Sequence, residues 1–165
     1  MDREEIYRLA CDFRRAINLA VSLHDFDDDP VMCSFPVGCC GDTADLIGEY
    51  LLNNGLTDLW YVSGIYYGES SDDESAIGQT HAWISMGAPC EEDSLIIDIT
   101  GDQFCGNSEL ECTVEEVYVG PMDRFHRLFR IEGADYYRFR GVRQYENSQY
   151  RLLDLYERVM KFFGS

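Results

Sequence analysis

Between residues 3 and 23, Ile6, Leu9, Ala10, Phe13, Ile17, Ala20 and Val21 recur at three- and four-residue steps, with charges on the other positions. That spacing predicts an amphipathic helix. The acidic run Asp25 to Asp29, followed by Pro30, predicts its end. The run reads as a solvated loop rather than a calcium loop, because it lacks the glycine and the distal glutamate that such a loop needs. Residues 35 to 42, Phe-Pro-Val-Gly-Cys-Cys-Gly-Asp, form a turn that enters a second helix. This helix turns Ala44, Ile47, Leu51 and Leu52 inward and stops at Asn53-Asn54-Gly55.

Beyond residue 58 the pattern changes to strands. Residues 59 to 67, Leu-Trp-Tyr-Val-Ser-Gly-Ile-Tyr-Tyr, have strand composition. Strands over 80 to 86 and 94 to 99 follow, linked through Gly87 and Pro89, and predict an antiparallel meander. The segment Gly68 to Gly78, with Ser-Ser-Asp-Asp-Glu-Ser at its centre, reads as an exposed loop. After Gly101 the pattern is less regular, with short strands expected over 116 to 119 and 136 to 140. A last helix is expected over 144 to 163, carrying Tyr145, Leu152, Leu155, Tyr156, Val159 and Phe163. No repeat, low-complexity tract or linker interrupts the 165 residues. The expectation is one domain, 1–165, of the α+β class, with helices packed on one antiparallel sheet.

Charge narrows the function classes. Acidic residues number 31 against 13 basic ones, a formal charge of -18. That balance argues against nucleic acid and anionic membranes, whose phosphates are bound by clustered Lys and Arg. It is compatible with a basic partner, a cationic substrate, or solubility alone. Lys161 is the single lysine, which would also suit an enzyme whose own chemistry consumes amines. The seven cysteines are Cys11, Cys33, Cys39, Cys40, Cys90, Cys105 and Cys112. An odd count with no secretory signal reads as free thiols in a reducing, cytoplasmic compartment, with any later delivery as an effector invisible here. No stretch approaches the roughly 18 apolar residues of a membrane span.

Three features carry chemistry. Gly38-Cys39-Cys40-Gly41-Asp42 sits where a loop enters a helix. A thiol at a helix N-terminus has its thiolate stabilised by unpaired N–H groups and the helix dipole, and the same N–H groups can face an oxyanion. His81 lies in a predicted strand, in Thr80-His81-Ala82-Trp83. Asp98 is a carboxylate embedded in the apolar strand Leu95-Ile96-Ile97-Asp98-Ile99, which is expensive unless it has a partner. If the two strands are neighbours, Asp98 can hold one imidazole nitrogen of His81 while the other faces the thiol. A vicinal Cys39-Cys40 redox or metal site is the competing reading. A zinc site with Cys33 and His24 lacks the paired Cys-x-x-Cys spacing, so no metal and no cofactor is expected.

These motifs resemble the transglutaminase-like, papain-like cysteine enzymes. Gly-x-Cys-x-Asp opening a leucine-bearing helix is matched by Gly38, Cys40 and Asp42 with Leu46, Leu51 and Leu52. Trp60-Tyr61-Val62-Ser63-Gly64 is similar to the strand that follows, His81-Ala82-Trp83 to the His-Ala-Trp motif, and Asp98-Ile99-Thr100 to Asp-x-Thr. The likeness spans residues 35 to 104. It implies a papain-like core, an antiparallel sheet packed against a catalytic helix and flanking helices. It also implies Cys40 as nucleophile, His81 as base and Asp98 as the residue that orients it. It favours Cys40 over Cys39, as does the closer approach of the second cysteine to the helix start.

Gln79 and Gln103 are candidate oxyanion donors, and Trp83 a candidate channel wall, with packing as its alternative. Cys39 reads as a small loop residue beside the nucleophile. His126 has no partner pattern and reads as structural or substrate-facing. A Cys-His-Asp set performs acyl transfer through a thioester, with hydrolysis of a peptide, amide or glutamine side chain favoured over transfer to an amine. The expected partner is a protein or peptide substrate, a basic one fitting the charge, and oligomeric state is left open. An acidic, inactive binding protein on the same fold is the reading of another class.

Overall fold

The computed structural model describes all residues except 69–77, 90, 108–109, 111–114, 134 and 164–165. The acidic loop expected between Gly68 and Gly78 lies almost wholly outside the described residues, as do Cys90 and Cys112. The chain is an α+β protein, with three α-helices and one five-stranded antiparallel sheet among the described residues. The helices are α1 (Arg3–Ser22), α2 (Cys40–Asn53) and α3 (Gln149–Met160). The strands are β1 (Leu59–Tyr66), β2 (Gln79–Met86), β3 (Leu95–Asp98), β4 (Tyr118–Gly120) and β5 (Tyr136–Arg138), in the order β4-β3-β2-β1-β5.

Strand alternation splits the sheet into two faces. Ala82, Ile84 and Ile97 point to the helices, where Phe13 and Ile17 of α1, Leu46 and Leu51 of α2, and Leu152 and Val159 of α3 complete the larger core. Burying each of these large side chains stabilises the fold by roughly 1.5–3 kcal/mol. Val62, Trp83 and Ile96 point the other way, into a second core closed by Phe104, Leu110, Phe125 and Phe129 from the irregular segments. Those segments lie hard against the sheet. A Cβ at Gly64 of β1 would come 2.7 Å from Phe129 Cβ, so that strand position tolerates only glycine without movement. His81 shares the face of Trp83, and Asp98 the face of Ile96, so both belong to this aromatic layer.

Two expectations need correction. The last helix begins at Gln149 rather than 144, because residues Val142–Gln144 form a separate 3-10 turn. The acidic run after α1 is not simply solvated. Asp29 is buried, its carboxylate accepting from the Val31 and Met32 N–H groups and pairing with Arg151 of α3 at 2.7 Å. Asp28 pairs with Arg158, also of α3. A carboxylate in an acidic run escapes water when a distant arginine reaches it, and no local pattern reports that. Among the described residues no helix is long and apolar enough to cross a membrane.

Candidate active site

Gly38, at φ +74 in the left-handed region, turns the chain so that Cys39 becomes the N-cap and Cys40 the first residue of α2. Among the described residues no side chain caps this helix. Its first hydrogen bond runs from Thr43 N–H to the Cys39 carbonyl at 2.9 Å, which leaves the N–H groups of Cys40, Gly41 and Asp42 outside the helix's own bonding. The two adjacent thiols part company here. Cys39 is buried, donating towards the Val31 and Val37 carbonyls at 3.3 Å, and burial, with the Asp42 and Cys40 charges, pushes its thiol up to about 12. Burial pushes the half-buried Cys40 up too, but hydrogen bonding to His81, the charge of that imidazole and the Ala82 backbone outweigh it. The net result is a Cys40 thiol below its ordinary value.

Asp42 fixes where this helix starts. Arg151 bonds Asp42 at 2.6 Å and Asp29 at 2.7 Å, tying the first turn of α2 to α3 and to the loop after α1. These two carboxylates hold the guanidinium well above its usual range despite partial burial.

His81 and Asp98 meet through sheet register. Ile84 pairs with Ile97 and Ser85 with Ile96, so Asp98 falls opposite Trp83 and diagonal to His81 on one face. His81 Nε2 lies 2.7 Å from Asp98 Oδ2, with both side chains essentially inaccessible to water. Asp98 Oδ1 accepts from the Thr100 N–H at 2.9 Å and from the Thr100 hydroxyl at 3.3 Å. Burial works against the charge on His81, but Asp98, and then Cys40, raise it to about 9. Burial likewise opposes ionisation of Asp98, yet the His81 charge and the His126 and His81 hydrogen bonds hold it far below the carboxylate range. With Nε2 on Asp98, Nδ1 is the other ring nitrogen, and the Gln103 amide nitrogen lies 3.3 Å from it.

The secondary candidates are spread differently. The Gln103 amide donates to the Thr100 carbonyl at 3.0 Å and lies 3.3 Å from His81 Nδ1, while its oxygen accepts from Gly38 N–H at 3.2 Å. Its bonding capacity is therefore engaged in clamping His81 to the turn before Cys40. Arg14 of α1 secures the neighbouring Asp102 with two 2.8 Å bonds. Gln79 is exposed, its side-chain oxygen accepting from Asn107 at 3.0 Å. Trp83 is 1% exposed beneath His81, ring centroids 5.6 Å apart, and its indole N–H has no acceptor among the described residues. It forms part of the floor under the imidazole rather than an open wall.

One constituent escaped the sequence reading. His126, treated above as having no partner pattern, is fully buried, with Nε2 3.1 Å from Asp98 Oδ2 and Nδ1 2.7 Å from Asp123 Oδ1. Asp123 also accepts the His126 N–H at 2.8 Å. The Asp-x-x-His spacing, one helical turn, was the available local signal. The contact with Asp98 had none. Among the described residues, the one group with the spacing of metal ligands is His81, Asp98 and His126, whose ligand-type atoms lie within 4.8 Å of one another. Hydrogen bonds already account for the close contacts, and Phe104, Phe125 and Phe129 surround His81 at 5.1–5.8 Å. The arrangement holds the His81 imidazole on a buried carboxylate that a second histidine shares, and sets a thiol of lowered pKa at the start of α2. Comparison with protein-family models, curated proteins and solved structures gives no match to this chain.

Proposed function

We propose that the chain is a cysteine-dependent acyl-transfer enzyme on a papain-like, transglutaminase-like core, acting on amide bonds through a thioester at Cys40. What supports this reading is Cys40 at the uncapped start of α2 with its thiol lowered by His81, together with the His81 imidazole held 2.7 Å from the buried Asp98. The Cys40 thiolate adds to the amide carbonyl, and the resulting oxyanion faces the open N–H groups at the start of α2. His81 Nδ1–H passes its proton to the leaving nitrogen, and the C–N bond breaks to give the Cys40 thioester. Water, losing its proton to the same nitrogen, then cleaves the thioester and returns the free thiol. Asp98 keeps the imidazole oriented and stabilises its charged form throughout.

Hydrolysis is the favoured second half, on a peptide bond or a glutamine side chain. An incoming amine in place of water would make the protein a transglutaminase or acyltransferase, and ammonia release from glutamine a deamidase. The formal charge of -18 favours a basic protein or peptide as substrate. Cys11, Cys33, Cys39 and Cys40 are free thiols, which fits a reducing compartment. Incubation with a glutamine-containing peptide library, read by mass spectrometry with and without a fluorescent amine, tests the reading. Product formation lost in Cys40→Ala supports it, and product formation that survives Cys40→Ala ends it. The charge also favours a second reading, an acidic binding protein that caps a basic partner, which requires Cys40→Ala to keep its biological effect.

A further inference from the structure

Asp98 is shared. Its Oδ2 atom receives His81 Nε2 at 2.7 Å and His126 Nε2 at 3.1 Å. An ionised carboxylate only accepts hydrogen bonds, so both Nε2 atoms must carry protons. His126 Nδ1 lies 2.7 Å from Asp123 Oδ1, and an ionised Asp123 imposes a proton there as well. Protonation of both ring nitrogens makes His126 an imidazolium. The row Asp123, His126, Asp98, His81 then alternates in charge, and Asp98 no longer acts on His81 alone. Burial works against the charged forms, but each carboxylate lowers the cost of the cation between them, and that cation holds Asp123 ionised in turn.

We propose that His126 is a positioning residue of the thiol site: as an imidazolium clamped between Asp98 and Asp123, it takes up part of the Asp98 charge and so sets how firmly His81 keeps its proton. The inference rests on the acyl-transfer reading for its purpose, though not for its geometry. Without His126 the full Asp98 charge would fall on His81, and the repulsion from a second buried cation would vanish. Both effects strengthen the hold of His81 on its proton. An imidazolium that holds its proton too tightly is a poor donor to a leaving amine, since proton transfer works best near the ambient pH. The groups facing His126 are Asp98 of β3, His81 of β2, Asp123 of its own turn and Tyr118 of β4, whose ring centre is 5.3 Å away. Arg3 of α1 bonds the Val119 carbonyl and places its charge beside Tyr118.

The test combines imidazole nitrogen NMR with the rate of Cys40 alkylation by iodoacetate between pH 5 and 10. It uses the full-length wild type, His126→Gln and Asp123→Asn. Asp123 is half-buried, so Asp123→Asn keeps the test available if the core substitution impairs folding. The wild-type His126 is expected to show two protonated nitrogens at pH 7. The alkaline limb of the alkylation profile, where His81 loses its proton, is expected to move upward by roughly one pH unit in His126→Gln and by less in Asp123→Asn. A neutral His126 at pH 7 would overturn the proposal. So would alkaline limbs unmoved in both variants while their melting temperatures fall, the result of a purely structural role. Uptake of one equivalent of zinc by the wild type but not by His126→Gln would overturn it too. If the limbs move as expected while Cys40→Ala keeps amide-bond activity, the acyl-transfer reading fails and the charge row stands. If Cys40→Ala abolishes activity and the limbs stay fixed, this inference alone fails.

Discussion

The helices α1 and α2 begin in opposite ways. At the start of α1, Asp2 accepts from Glu5 N–H and the Glu5 carboxylate accepts from Asp2 N–H, both at 2.9 Å, a closed capping box. At the start of α2 the N-cap is Cys39, whose thiol turns away to two loop carbonyls, and no side chain closes the first turn. The open N–H groups there adjoin a thiol of lowered pKa. A helix start that serves stability alone is filled by its own side chains. One left open forgoes about 1 kcal/mol of capping and keeps an anion-stabilising field for another use. What α2 lacks in capping it gains from Arg151, which holds Asp42 in place from outside.

The contrast can be broken most severely at the thiol. Cys40→Ala is expected to lower amide-bond turnover by about 10⁴-fold or more while leaving the melting temperature almost unchanged, because one half-buried sulfur is lost and Asp98 still holds His81. Calorimetry and a turnover assay on the same preparation check both halves. Arg151→Ala attacks the external clamp. It leaves the buried Asp29 unpaired and frees Asp42, with an expected loss of about 3 kcal/mol in urea unfolding and a slower alkylation of Cys40. Asp2→Ala opens the other helix instead. Its expected cost is about 1 kcal/mol of stability with no change in Cys40 reactivity. The smallest effect belongs to Cys39→Ser, which keeps a donor for the Val31 and Val37 carbonyls. Turnover within about twofold of wild type is expected, whereas a redox role for the cysteine pair requires it to be as damaging as loss of Cys40.

Stability should follow pH in a way that reports the same site. The folded-state pKa of His81 is raised from 6.5 to about 9, so its contribution is fully present below pH 6.5 and is lost as pH rises through about 9. Asp98 is depressed, so its contribution is present above the ordinary carboxylate pKa near 3.8 and is lost as pH falls. His81→Asn is expected to flatten the alkaline side of the stability profile, as chemical denaturation at pH 6 and pH 9.5 would show.

Much of this was legible in the chain because it is local. The three- and four-residue spacing in α1 and α2, and the strand composition of β1, mark those elements within a few residues. The buried Asp98 could be read from its apolar neighbours alone. His126 could not. It lies 28 residues from Asp98, in a stretch without period, and meets it because the aromatic segments fold back over the sheet. Asp29 was misread for a similar reason, since its partner Arg151 is 122 residues away. Gln103 drew notice as an amide near the site, but only the fold shows its groups bonded to Gly38, Thr100 and His81.

The most direct test of a His81-activated Cys40 is the pH dependence of alkylation at each cysteine, resolved by peptide mass spectrometry, in the wild type and in His81→Asn. The account requires Cys40 to be the fastest-labelled thiol below pH 8, Cys39 to remain inert, and His81→Asn to return the Cys40 midpoint towards an ordinary thiol. It would be contradicted by a wild-type Cys40 whose alkylation midpoint is that of an ordinary thiol, or whose profile is unchanged when His81 is replaced.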